Sequence, residues 1–116
     1  MFLPLSLLGY VPKVAIPTVS IAPGVDLPLA GLGTWQYNSS VAEAAVLMAL
    51  RLGYTHIDTA LGYNNQDGVA RAIKASGRAR ETFFVTSKIP GGFNQTAAAA
   101  ALDESLAQLA LDYVDL

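Results

Sequence analysis

Asp58, Tyr63 and Lys88 are an acid, a phenol and a base that fall at, or just beyond, the ends of predicted strands. Asp58 closes the apolar run Tyr54-Thr-His-Ile-Asp-Thr59, Tyr63 lies in the loop that follows, and Lys88 comes directly after Thr82-Phe-Phe-Val-Thr-Ser87. A free tyrosine has a pKa of ~10, too high for an efficient proton donor at neutral pH. A neighbouring ammonium favours the phenolate and lowers that pKa. A carboxylate beside the ammonium keeps it charged in a partly dry site and holds it in place. An Asp–Lys–Tyr chain is therefore a workable general acid for protonating an oxygen as a carbonyl is reduced. The hydride must come from a cofactor, because no side chain supplies one.

Each residue also has a plainer role. Asp58 and Lys88 could form a structural ion pair, since such pairs perturb titration as active sites do. Tyr63 alone reads as a half-buried loop aromatic with an apolar body and a polar tip, and Trp35 as packing or as a pocket wall. His56, two residues before Asp58, shares its strand face. It reads as a core histidine with satisfied ring nitrogens rather than a catalytic group.

The elements that must position these residues follow an alternating order. Val19 to Pro28 has short apolar alternation on either side of Pro23-Gly24, which predicts a β-hairpin with glycine at its turn. Ala30 to Thr34 predicts a short buried strand leading into Trp35. Ser40-Val-Ala-Glu43 reads as a capping box for a helix whose stripe is Val41, Ala44, Ala45, Met48 and Leu52, ended by Gly53. Tyr54–Thr59 is the next strand. Asn64 or Asn65 caps a second helix with Val69, Ala72 and Ile73 inward and Gly77 at its end. The strand Thr82–Ser87 follows, then a helix from Thr96 to about Ala110 with Leu102, Leu106 and Leu109 inward, and a strand begins at Tyr113.

Strands alternating with helices at about 25–30 residues per unit imply an α/β fold with a parallel sheet and right-handed crossovers. An open doubly wound sheet usually carries a glycine-rich phosphate turn after its first strand, and Gly31-Leu-Gly33 lacks the third glycine of that fingerprint. The better reading is the N-terminal part of a (β/α)8 TIM barrel, preceded by the hairpin, with strand ends converging on one mouth. The expected division is an apolar extension over 1–17 and an incomplete barrel portion, roughly the first half, over 18–116.

Composition narrows the partners. The 116 residues are 53% hydrophobic and 14% charged, with net charge −2, so clustered cationic surface for nucleic acid is absent and no nucleic-acid partner is expected. There are no cysteines and one histidine, which excludes thiol chemistry and predicts no metal site. The opening MFLPLSLLG lacks a basic start and is too short to span a membrane, so a poorly ordered extension, no membrane partner and a cytoplasmic location are expected, with a targeting or anchoring segment as the alternative reading of the apolar start. A mean hydropathy of +0.40 is high for a chain this small, and is consistent with apolar surface meant to meet further protein.

Taken together, the motifs resemble the aldo-keto reductases. Gly53-Tyr-Thr-His-Ile-Asp-Thr-Ala60, with Gln66 and Val69 in register, is similar to that family's first signature, and the likeness runs over about residues 18–116. It includes Gly31-Leu-Gly-Thr-Trp35, Phe84-Val-Thr-Ser-Lys88 and Leu109-Ala-Leu-Asp-Tyr-Val-Asp-Leu116. Thr55 stands for the usual Arg and Ala70 for the usual Gly. The resemblance implies an NADPH-dependent reductase of small-molecule carbonyl substrates, aldehydes or ketones, with an Asp–Tyr–Lys–His tetrad. Asp58, Tyr63 and Lys88 match its first three members, and Thr34, Trp35 and Asp58 match positions beside the cofactor. The tetrad His would follow the strand opened by Tyr113-Val-Asp-Leu116; His56 belongs to the signature instead. The alternative is a truncated or regulatory relative that is inactive alone and acts as a binding module.

Overall fold

The computed structural model describes residues 15–116; residues 1–14, most of the expected apolar extension, lie outside the described residues. The hairpin forms as expected. Strand β1 (Thr18–Ala22) pairs antiparallel with β2 (Val25–Pro28), and Gly24 supplies a left-handed φ of 74° at the turn.

Three short strands then make a parallel sheet in the order β3 (Leu32–Gly33), β4 (His56–Asp58), β5 (Phe84–Thr86). Each regular strand is shorter than its apolar run, because the sheet pairing continues into loop backbone. Thr34 N–H donates to Asp58 O at 3.0 Å, Thr59 N–H to Thr86 O at 2.9 Å, and Leu61 N–H to Lys88 O at 2.9 Å. No regular strand covers 113–116. The segment does run beside β5, through Asp115 N–H to Val85 O (2.9 Å) and Ser87 N–H to Leu116 O (2.9 Å). The Asp115 carboxylate takes the Val85 N–H at 2.7 Å, where a partner strand's carbonyl would sit, and Arg80 holds that carboxylate at 2.6 Å. A side chain in the ladder breaks its regularity.

Helix α1 (Ser39–Leu52) is capped two residues earlier than Ser40 and Glu43 suggest. The Asn38 side chain accepts Val41 N–H at 2.9 Å, and Glu43 pairs with Arg71 of the next helix at 2.6 Å. The expected stripe is also displaced. Ala42, Val46, Ala49 and Leu50 are buried, whereas Val41, Met48 and Leu52 are exposed. Nearly every α1 position is apolar, so periodicity could not choose a face. Close approach to its neighbour did, favouring small Ala42 and Ala49 inward. Helix α2 (Gln66–Ser76) buries Val69, Ala72 and Ile73 as predicted and ends at Gly77 in the left-handed region. Helix α3 (Gln95–Leu109) is capped by the Asn94 side chain on Ala97 N–H. It buries Leu109, half-buries Leu106 and turns Leu102 outward, because Ala101 and Ser105 occupy the inward row.

The core lies between the sheet and the helices, built on Val46, Leu50, Ile57, Val69, Ile73, Phe83, Val85 and Leu109. Among the described residues, no helix is long and apolar enough to cross a membrane.

Gly68 marks the tightest contact between α1 and α2. A Cβ there would stand 2.1 Å from the Ser39 carbonyl oxygen, a backbone atom that cannot swing aside. Gly68→Ala is expected to destabilise the fold by about 1–3 kcal/mol. Gly62→Ala, whose Cβ meets nothing within 4 Å, should stay within about 0.5 kcal/mol of wild type. Urea midpoints of the two variants check both.

Candidate active site

Parallel pairing sets the site. Asp58 lies opposite Thr86 in the β4–β5 register, and Lys88 follows two residues on, past the same end of the sheet. The 3₁₀ turn Leu61–Tyr63 then brings the phenol back over that end, closed by Asn64 in the left-handed region at φ 54°.

Lys88 Nζ is the centre of the arrangement. It donates to Asp58 Oδ1 at 2.5 Å, to the Thr59 carbonyl at 3.0 Å and, more weakly, to Tyr63 Oη at 3.5 Å. An ammonium has three protons, and each has an oxygen acceptor here. The ammonium also lies 5.2 Å from the Tyr63 ring centroid, within cation–π range. Because the phenol oxygen accepts from Lys88, its own proton is left to point elsewhere. Burial pulls the Lys88 ammonium down, but the hydrogen bond to Asp58 and its charge outweigh this, with Tyr63 adding, and hold it above the usual lysine value. Lys88 therefore stays charged at neutral pH.

The side chains of Lys88 and Asp58 are 46% and 37% exposed, so water screens the pair and it adds little to stability. Its consequence is positional. Both the ion-pair reading and the acid-relay reading of Asp58 and Lys88 are compatible with this geometry, and the third contact brings the Tyr63 phenol to the same ammonium.

Thr34 is fully buried and its hydroxyl lies 3.0 Å from that of Thr59; the next residue, Trp35, is 65% exposed on the rim. The predicted residues thus gather on one side of the sheet, with Thr34 beneath the rim and Trp35 upon it. His56 takes the role expected of it. Its ring lies edge-on to Phe84, Nδ1 is 3.3 Å from the Pro28 carbonyl and Nε2 is 3.0 Å from Thr86 Oγ1. A carbonyl only accepts, so Nδ1 carries the proton and Nε2 accepts from the Thr86 hydroxyl. His56 ties the hairpin to β5 and leaves no ring nitrogen for chemistry. Among the described residues no cluster of His, Asp and Glu could hold a metal ion.

Sequence reasoning passed over the buried amides of Asn65 and Gln66. Asn65 stands at the expected cap position, yet its side chain makes no capping bond. The available signal was the polar Asn64-Asn-Gln66 run entering a helix whose other inward residues are apolar.

The Aldo/keto reductase family profile matches residues 29–116. The glycerol 2-dehydrogenase (NADP(+)) of Saccharomyces cerevisiae is 50% identical over 98 residues, 84% of this chain and 31% of that protein. A methylglyoxal reductase of Salmonella typhimurium is 43% identical over 103 residues, 88% of this chain and 37% of its own length. An aldo/keto reductase from Brucella melitensis superposes with a TM-score of 0.81 at 42% identity, covering 86% of this chain and 39% of that one. A Bombyx mori aldo-keto reductase solved in complex with NADP superposes at 0.77 with 35% identity, covering 87% and 36%. The chain belongs to the aldo/keto reductase family. Its fold is an N-terminal part of that family's TIM barrel. It spans about a third of the length of the curated relatives it matches.

The raised Lys88 pKa carries a pH signature. A charge favoured by folding stabilises fully below the unfolded lysine pKa of ~10.4 and is lost as pH climbs through the folded value. The stability gap between wild type and Lys88→Met is expected to be small, about 1 kcal/mol or less. It should stay flat from neutrality to about pH 10 and shrink above that. Paired urea melts across that range measure it.

Proposed function

We propose that residues 18–116 supply the N-terminal units of an NADPH-dependent oxidoreductase that reduces aldehydes or ketones to alcohols. Tyr63 is the proton donor, assisted by Lys88 and Asp58. The observation that carries this reading is the Lys88 ammonium, which touches the Asp58 carboxylate and the Tyr63 phenol oxygen together. A structural ion pair needs no phenol at its third donor; an acid relay does. The NADP-linked glycerol dehydrogenase and the NADP-bound silkworm enzyme support the cofactor assignment.

The rim fits a nicotinamide. Trp35 offers an exposed aromatic face, and it directly follows Thr34, whose amide is hydrogen-bonded to the Asp58 carbonyl. Thr34, Trp35 and Asp58 would hold the cofactor, which when bound supplies the hydride to the carbonyl carbon. Tyr63 gives its proton to the carbonyl oxygen as negative charge develops there. Lys88, fixed by Asp58 and the Thr59 carbonyl, stabilises the charge left on the phenol oxygen. The balance is one carbonyl, one NADPH and one proton giving one alcohol and NADP⁺. A cytoplasmic setting accords with this cofactor use.

NADPH oxidation with a generic aldehyde checks the assignment. The 116-residue chain alone should turn nothing over. Joined to the remaining barrel units of the yeast relative, the chain should be active, and Tyr63→Phe should lower kcat by roughly 10²–10⁴-fold. Activity that survives Tyr63→Phe sinks the assigned acid. Robust turnover by the segment alone sinks the view that it is one portion of a barrel and favours a self-sufficient domain.

A further inference from the structure

Asn65 and Gln66 open α2, and both side chains are fully buried. A buried amide is costly unless every polar atom is paired, so where these two spend their hydrogen bonds is informative. Neither serves its own helix. Asn65 Nδ2 donates to the Thr34 carbonyl at 2.7 Å and to the Tyr37 carbonyl at 2.9 Å. Those carbonyls belong to the two ends of the turn that carries Trp35. That turn is closed by Tyr37 N–H on Thr34 O at 3.2 Å, and it forces Gln36 to φ 65°, a conformation glutamine adopts rarely. Asn65 Oδ1 receives the Thr34 hydroxyl at 3.3 Å, with Thr59 Oγ1 at 3.5 Å. Thr59 in turn presents its carbonyl to Lys88. Gln66 Oε1 accepts from Ser87 Oγ at 2.8 Å and Ser105 Oγ at 2.9 Å, and Ser87 is the residue before Lys88.

We propose that Asn65 and Gln66 are positioning residues. Asn65 locks the Trp35 turn against the loop that bears Tyr63, and Gln66 locks the strand end that bears Lys88. Being wholly buried, neither reaches the mouth; each acts through the backbone it holds. The inference rests on the reductase reading for its kinetic consequence, while the clamp itself is a matter of geometry.

The two halves predict different kinetic signatures in the barrel completed from the yeast relative. Asn65→Ala frees the cofactor rim, so KM for NADPH should rise about tenfold while kcat changes less than about threefold. Gln66→Ala loosens the Lys88 strand end, so kcat should fall about tenfold with KM for NADPH nearly unchanged. Gln66→Glu keeps an oxygen for both serine hydroxyls and should restore kcat. If Asn65→Ala does not fold, Asn65→Ser carries the same test, since one hydroxyl cannot bridge both carbonyls. Hydrogen exchange on the full 116-residue chain gives a second readout: Asn65→Ala should expose the Tyr37 amide and leave that of Ser87 protected. Equal losses in both parameters, tracking only the folded fraction, would reduce the pair to ordinary core residues and overturn the proposal. A wild type that reduces no carbonyl defeats the reductase reading instead. In that case unchanged Tyr37 exchange in Asn65→Ala overturns the clamp, and selective exposure upholds it.

Discussion

The ammonium of Lys88 has three protons, and the oxygens that receive them come from the end of β4, the residue after it, and the returning turn. That arrangement requires β4 and β5 to be parallel neighbours and the 61–63 turn to fold back over them. The helices satisfy the same requirement from outside. Each carries the chain back to the start of the next strand, so every βα unit delivers its polar residue to the same end of the sheet. Little energy resides in the ion pair itself, because water reaches it. The apolar layer of Ile57, Val69, Val85 and Leu109 holds the sheet on which the ion pair is placed.

Two kinds of polar group serve this scaffold. Those at the mouth leave a valence unspent: among the described residues the Tyr63 proton has no acceptor, and Trp35 is exposed to solvent. Those beneath are engaged within the protein. His56 has both ring nitrogens engaged, the Asn65 amide bridges two carbonyls, and Gln66 collects two hydroxyls. Such engagement makes a buried polar group rigid and specific in its partners. An unspent valence is what a ligand can use.

Much of this was legible in the residue order. Glycines 24, 53 and 77 stand at left-handed turns and punctuate the elements where backbone geometry demands them. The strand-end positions of Asp58 and Lys88 follow from apolar runs of the right length, and the trio of Asp58, Tyr63 and Lys88 meets as its chemistry suggests. What was not legible depended on tertiary choice. Helix α1 is apolar nearly all round, so its inner face was settled by the close pass of Gly68 against Ser39 rather than by periodicity. Asn38 caps in place of Ser40, and Glu43, the other half of the expected capping box, is instead paired with Arg71 of α2. Asn65 looked like a cap for the same local reason and was recruited across the sheet instead.

The pairing of Asp58 with Thr86 has one more implication, for how this site tolerates sequence change. Side chains alternate along a strand, and here His56 and Asp58 share one parity while Ile57 takes the other and is fully buried. A single-residue insertion within β4 would turn the carboxylate into the hydrocarbon layer and Ile57 towards the mouth. A two-residue insertion would restore parity but carry the carboxylate about 6–7 Å along the strand, out of reach of the ammonium. The site has no graded intermediates along this coordinate, so the strand that bears the acid can take substitutions but no change of length.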